Sequence, residues 1–186
     1  MKEMSTREKL ILKGMDEIRE HGVQGFSLRR VASQCGVSCA APYKHFADKQ
    51  DMFLAMIDHI NETWDERVKS SFKLYDTVEE TIAVYAMDYV TFLCENPQFK
   101  AVLMINDAGL DAPVSAHAAG ISVPLGRLFI MLKRKRGMTR EQIREQIFLV
   151  RALMYGSAVI METDDTDYEQ KLALLKEAVY TTMMKN

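Results

Sequence analysis

The sequence predicts an all-α fold of about nine helices, short ones first and longer ones after. Three observations predict it. Apolar residues recur at intervals of three and four almost throughout, and no segment alternates with the period of two that a half-buried strand requires. Only four Pro and nine Gly occur in 186 residues, too few to turn a β-sandwich. Ser5-Thr6-Arg7-Glu8 and Thr139-Arg140-Glu141-Gln142 both have the form of a capping box, which marks a helix start. At 48% hydrophobic and 27% charged residues, the chain has the composition of an ordinary globular protein, which excludes wholesale disorder.

The elements follow in order. From Ser5 the first helix carries Ile11, Met15 and Ile18 on one face, and Gly22 stops it. Ser27 caps a short second helix with Leu28, Val31 and Ala32 turned inward. Gly36-Val37-Ser38 is a tight turn, and a short third helix runs to about Phe46. Asp48 caps a fourth helix, with Asp51 near its positive end and a stripe of Met52, Phe53, Met56, Ile57, Ile60, Trp64 and Val68. Asp76 is the expected cap of the next helix, which carries Val78, Ile82, Tyr85, Ala86, Tyr89, Phe92 and Leu93. Asn96-Pro97 opens another, with Pro at the first helical position. Residues 106–113 read as a loop. Residues 114–136 read as helix with a kink or break at Pro124. The helix from Thr139 carries Ile143, Ile147, Val150, Met154 and Ala158. The last is capped by the Asp164-Asp165-Thr166-Asp167 cluster and carries Leu172, Leu175, Val179 and Met183.

No secretory h-region follows Met1, and the longest uncharged stretch, Ala112 to Gly126, is too short and polar to span a bilayer. Cys35, Cys39 and Cys94 are odd in number and show no disulfide framework. The expectation is a cytoplasmic protein with reduced thiols and no membrane partner.

The stretch from Ser27 to Lys49, SLRRVASQCGVSCAAPYKHFADK, carries the functional signal. Two short helices meet at a turn where Ala32 permits close crossing and Gly36 a left-handed backbone. That is a helix-turn-helix, whose second helix is small enough for the DNA major groove. Ser27, Arg29, Arg30, Tyr43, Lys44, His45 and Lys49 are the types that contact phosphates. Ser38, Cys39, Ala40 and Ala41 lie at the start of the second helix, where base edges are reached, and direct readout falls to Lys44 with Ser38 or Cys39. The two alanines cannot hydrogen-bond bases but can meet thymine methyl groups.

This stretch resembles the DNA-binding domain of tetracycline-repressor (TetR) family regulators, whose pattern runs T-x3-IA-x2-AGVS-x-GT-x-Y-x-HF-x-x-K. Ser27, Val31-Ala32, Cys35-Gly36-Val37-Ser38, Ala40-Ala41, Tyr43, His45-Phe46 and Lys49 occupy its places. The resemblance covers residues 5–65. It implies a homodimeric repressor of palindromic double-stranded DNA, with residues 1–50 binding DNA and residues 51–186 sensing a small molecule and dimerising through the last two long helices. Small residues Gly156, Ser157 and Ala158 on the first of those helices suit close helix approach.

Thirteen Met is the one unusual entry in the composition. Met and aromatic side chains adapt to apolar ligands, although each alone is equally a core residue. The candidates for an effector site are Tyr85, Asp88, Tyr89, Phe92, Met104, His117, Phe129, Phe148, Met154 and Tyr155, and they suit an apolar or aromatic molecule. No phosphate loop, nucleophile elbow or metal-ligand spacing occurs, so no enzyme, metal or cofactor is expected. The competing readings are a helical ligand-binding or interaction module without DNA binding, and a small all-α enzyme. The charge of −2 conceals an asymmetry: residues 1–50 carry nine Lys+Arg against six Asp+Glu, and residues 51–186 fifteen against twenty. The basic half is the one that carries the helix-turn-helix.

Overall fold

The structure, a computed structural model, describes residues 4–71, 73–103, 123–161 and 167–184. Among these residues there are eight α-helices, one short 3-10 segment and no strand. The helices are α1 (Thr6–His21), α2 (Leu28–Gln34), α3 (Lys49–Ser71), α4 (Val78–Glu95), α5 (Pro97–Leu103), α6 (Val123–Arg136), α7 (Arg140–Ile160) and α8 (Tyr168–Met184), and the 3-10 segment is Pro42–Lys44. The expected loop at residues 106–113, the first part of the 114–136 segment, and residues 164–166 of the acidic cluster lie outside the described residues.

The helix ends follow the sequence signals closely. The Ser5 N–H donates to Glu8 Oε2 at 2.8 Å and the Glu8 N–H to Ser5 Oγ at 3.2 Å, a complete capping box. Thr139 and Gln142 exchange the same pair of bonds at 2.9 and 3.2 Å. Asp48 accepts from the Asp51 N–H at 2.8 Å, and the Asp51 carboxylate accepts from the Ala47 N–H at 2.8 Å. One cap differs from expectation. Thr77, not Asp76, caps α4: its hydroxyl accepts from the Glu80 N–H at 3.1 Å, and its carbonyl accepts from the Thr81 N–H at 3.0 Å. Pro124 is the second residue of α6, inside the first turn, where a missing N–H is tolerated.

The chain forms two compact units. The first comprises residues 1–63 with 96–120, the second residues 64–95 with 121–186, so the boundary falls within the unbroken helix α3. In the first unit, Leu10, Ile11, Met15 and Ile18 of α1 are buried, together with Phe26, Val31, Phe46, Met52, Phe53, Met56, Ile57 and Ile60. Phe26 and Phe53 meet edge to face at 5.1 Å between centroids, the arrangement the ring quadrupoles favour. Gly14 has a packing reason: a Cβ there would overlap the methyl ends of Met52 and Met56.

In the second unit Trp64 is the centre of an aromatic cluster. Tyr85, Tyr89 and Phe92 surround it at 5.2, 5.0 and 5.2 Å between centroids, and its indole N–H donates to the Tyr85 hydroxyl. The buried face of α7 is rotated from the expected stripe. It consists of Gln146, Val150, Met154 and Ala158, one residue every four, while Ile143 and Ile147 are half-buried. Glu79 of α4 is 2% exposed and holds the end of α6 through Lys135 Nζ at 3.0 Å and Arg136 Nε at 2.9 Å.

Candidate nucleic-acid interface

The site is built from the end of α1 forward. The Ser27 hydroxyl caps α2 by accepting from the Arg30 N–H at 3.4 Å, and Val31 and Ala32 are fully buried. At the other end of α2, the Val37 N–H reaches back to the Ala32 carbonyl at 3.0 Å and the Gly36 N–H to the Ser33 carbonyl at 3.0 Å. The long backward bond belongs to a Schellman-type stop, which places Gly36 at φ 68°. No atom lies within 4 Å of a Cβ built there, so the backbone angle, not space, demands glycine.

After this turn the expected third α-helix is much shorter than the sequence implied. Residues 38–41 form a turn, closed by the Ala41 N–H on the Ser38 carbonyl at 2.9 Å. The 3-10 segment Pro42–Lys44 follows, and the His45 N–H bonds to the Pro42 carbonyl at 2.9 Å. The reason is Pro42 itself. It has no N–H to return to the Ser38 carbonyl, so the ladder tightens to three-residue steps. Pro42 and Phe46 are buried and pin the segment to the core.

The segment turns a mixed set of side chains outward. Ser38, Cys39 and Ala40 are exposed and Ala41 is half-buried. Tyr43 is 62% exposed, which leaves most of its apolar ring in water, and Lys44 and His45 are exposed beside it. Arg29 is exposed on α2 with no ion pair among the described residues, and Ser27 is half-buried in its capping role.

Two of the expected phosphate-contacting cations are engaged inside the unit. Arg30 Nε donates to Glu17 Oε1 at 2.7 Å, and its terminal nitrogen reaches the Gly25 carbonyl. Glu17 is fully buried and also accepts from the Ser27 N–H at 3.2 Å, so one carboxylate ties α1 to the start of α2. Lys49 donates from Nζ to the Val23 carbonyl at 2.7 Å and lies over the rings of Phe26 and Phe53 at 5.4 and 5.3 Å. Arg30 and Lys49 therefore position the surface, while Arg29, Tyr43, Lys44 and His45 form it. Glu17 escaped the sequence reading. Its signal is positional: it falls in line with Leu10 and Gly14 on the apolar face of α1, where a carboxylate needs a partner.

Eight of the ten residues expected to meet an effector are scattered through the second unit. Tyr85, Tyr89 and Phe92 pack around Trp64, and Phe129 and Met154 are buried. Burial, followed by the neighbouring Tyr155 and Tyr85 hydroxyls, pushes the Tyr89 phenol well above its ordinary pKa, so it stays neutral. Tyr155 is half-buried beneath the Arg151 guanidinium, 5.6 Å from its ring centre. Asp88 is exposed, and Phe148 is 69% exposed; Phe148 therefore faces away from the interior it was expected to line, because the buried face of α7 runs through Gln146 and Val150. Met104 and His117 lie outside the described residues.

Comparison with known proteins places this geometry. Residues 10–56, from α1 into α3, match the family described as bacterial regulatory proteins, tetR family. The nucleoid occlusion factor SlmA of Actinobacillus pleuropneumoniae is 28% identical over 130 residues, which cover 67% of this chain and 64% of that protein. SlmA of Haemophilus influenzae is 28% identical over 123 residues, covering 63% of this chain and 56% of that one. The matched region thus spans 56–64% of the length of these curated relatives. Among solved structures, the fatty acid degradation regulator FadR of Bacillus halodurans superposes with a TM-score of 0.76 at 17% identity, over 98% of this chain and 97% of that one. FadR of Bacillus subtilis, solved in complex with stearoyl-CoA, superposes at 0.75 and 16% identity over 95% and 97%. These likenesses show the fold across nearly the whole length, and the motif from Ser27 to Phe46 sits inside the matched segment. The helix-turn-helix segment of the chain is thus similar to that of the tetR family of bacterial regulatory proteins, and the fold is that of the superposed regulators.

Proposed function

We propose that the protein is a ligand-responsive repressor that binds palindromic double-stranded DNA as a homodimer and works in the cytoplasm. The observation that carries this reading is the Ser38–His45 surface. Tyr43, Lys44 and His45 stand exposed on a segment anchored by buried Pro42 and Phe46, with Arg29 on the preceding helix. Phosphates are met by Arg29, Tyr43, Lys44 and His45, and bases by Ser38, Cys39 and the methyl of Ala40. Two such surfaces must lie about 34 Å apart to enter successive major grooves on one face of the duplex.

The second copy docks on α7 and α8. Phe148, Val159, Ile160, Leu174 and Met184 are each half exposed or more on these two helices. Between them runs a groove of about 300 Å³ lined by Leu153, Ser157, Ile160, Leu174, Leu175 and Ala178. Gly156 is exposed, with nothing within 4 Å of a built Cβ, so its own chain gives no packing reason for a glycine. A partner helix approaching closely supplies one.

The effector binds the second unit among its Met and aromatic residues and favours a dimer whose two DNA surfaces have the wrong spacing, which shifts the population off the operator. An acyl-CoA, the class held by the Bacillus subtilis neighbour, is the first probe to try. Fluorescence anisotropy on the chain's own upstream DNA tests the reading. The expected result is preference over random duplex, affinity that falls steeply with salt, and loss of both in Tyr43→Ala/Lys44→Ala. Equal affinity for the two duplexes contradicts it. Uracil substituted for thymine beneath Ala40 is expected to weaken binding, because the methyl contact goes.

A further inference from the structure

A concavity of about 570 Å³ lies where the end of α6, the first turns of α7 and the last turn of α8 meet. It shares no residue with the Ser38–His45 surface or with the aromatic cluster around Trp64. Its volume is in the range of small-molecule sites.

Its wall contains an anomaly. Gln146 is 8% exposed, and its carboxamide oxygen is buried with no hydrogen-bond partner. The other members of the same buried face are Val150, Met154 and Ala158, so packing alone calls for an apolar residue. A buried amide left unpaired is unfavourable, and such a group needs a reason. The surrounding chemistry supplies one. Arg136 and Lys135 share the single carboxylate of Glu79, and Arg136 also donates to the Met183 carbonyl and the Met184 sulfur, so the cluster carries one net positive charge that no carboxylate balances. Glu145 brings an exposed carboxylate with no ion pair among the described residues. Met138 and Leu149 add apolar surface, and Thr182 a hydroxyl.

We propose that this pocket binds a small zwitterion of the α-amino-acid class. The ligand's carboxylate is held by the net positive charge of the Lys135–Arg136–Glu79 cluster, its ammonium faces Glu145, and the Gln146 carboxamide, turned about its last bond, pairs with the head group. An apolar side chain rests on Met138 and Leu149. The site is independent of the DNA-binding reading, since it asks nothing of the first unit.

Titration calorimetry on the full-length protein tests it with glycine and leucine as zwitterions, and with isoamylamine and 4-methylpentanoate as the two single-charge halves of leucine. Expected is saturable leucine binding, at least about tenfold tighter than either half molecule. Glu145→Gln, an exposed change that leaves the core untouched, is expected to weaken leucine at least about tenfold, and Gln146→Leu to do the same. No saturable heat from either zwitterion overturns the proposal. So does leucine binding that is matched by a half molecule or unchanged in both variants.

Discussion

Adjacent arginines at the start of α2 have opposite assignments, and a pair of substitutions separates them. Arg30 is bonded to buried Glu17, so Arg30→Ala leaves that carboxylate with the Ser27 N–H and the nearby His21 and is expected to cost about 1–3 kcal/mol in denaturant unfolding. Arg29 faces solvent, so Arg29→Ala is expected to change stability by under about 0.5 kcal/mol. It should instead weaken DNA binding and lower the salt slope by about one. Similar stability losses in the two variants contradict the assignment. The sequence made both residues look like phosphate ligands, because side-chain type and spacing cannot show which guanidinium is already taken. Lys49 repeats the lesson: the motif marks the position, but its ammonium is spent on the Val23 carbonyl and two rings. Gly36 was legible, since a Schellman-type stop leaves a sequence signature that does not depend on tertiary contacts.

Whole helices were easier to read than their ends or faces. Both capping boxes and the Asp48 cap form as local chemistry dictates, because donor and acceptor are three residues apart. The exceptions have physical causes. Thr77 displaces Asp76 because its hydroxyl sits at the position whose carbonyl starts the α4 ladder. Pro42 shortens the third helix to a 3-10 turn. On α7 the buried face contains Gln146, which an apolar-period search skips. The α4–α6 connection depends on Glu79. Its burial disfavours the charged form, but its own backbone N–H, Lys135 and Arg136 outweigh that and hold the carboxyl below its ordinary 4.5. A depressed folded-state pKa gives stability that is present above about 4.5 and lost as pH falls through the folded value. Melting temperatures between about pH 6 and pH 3 should therefore fall more steeply for the wild type than for Glu79→Gln. Parallel curves contradict that account.

For the whole molecule, the net charge of −2 pointed away from a polyanion, and its distribution along the chain restored one. The proposed dimerisation also belongs to this scale. Gly156→Leu places a branched side chain where the partner helix is expected and costs about 1–3 kcal/mol, or about five- to 150-fold in the dimer dissociation constant. Sedimentation equilibrium reads this directly, and an unchanged constant places the interface elsewhere. The effector is the least legible part. Most of its candidate residues are ordinary core residues by type, and two of them, Met104 and His117, lie outside the described residues. The central claim is that the Ser38–His45 surface, presented twice by a symmetric dimer, reads DNA. The most direct measurement is selection of bound duplexes from a random pool, followed by sequencing. An enriched inverted repeat is expected, with half-sites centred about 10 base pairs or a multiple apart, and it is absent when Tyr43→Ala/Lys44→Ala is used as bait. A pool that shows no inverted repeat, or the same enrichment with the double variant, contradicts it.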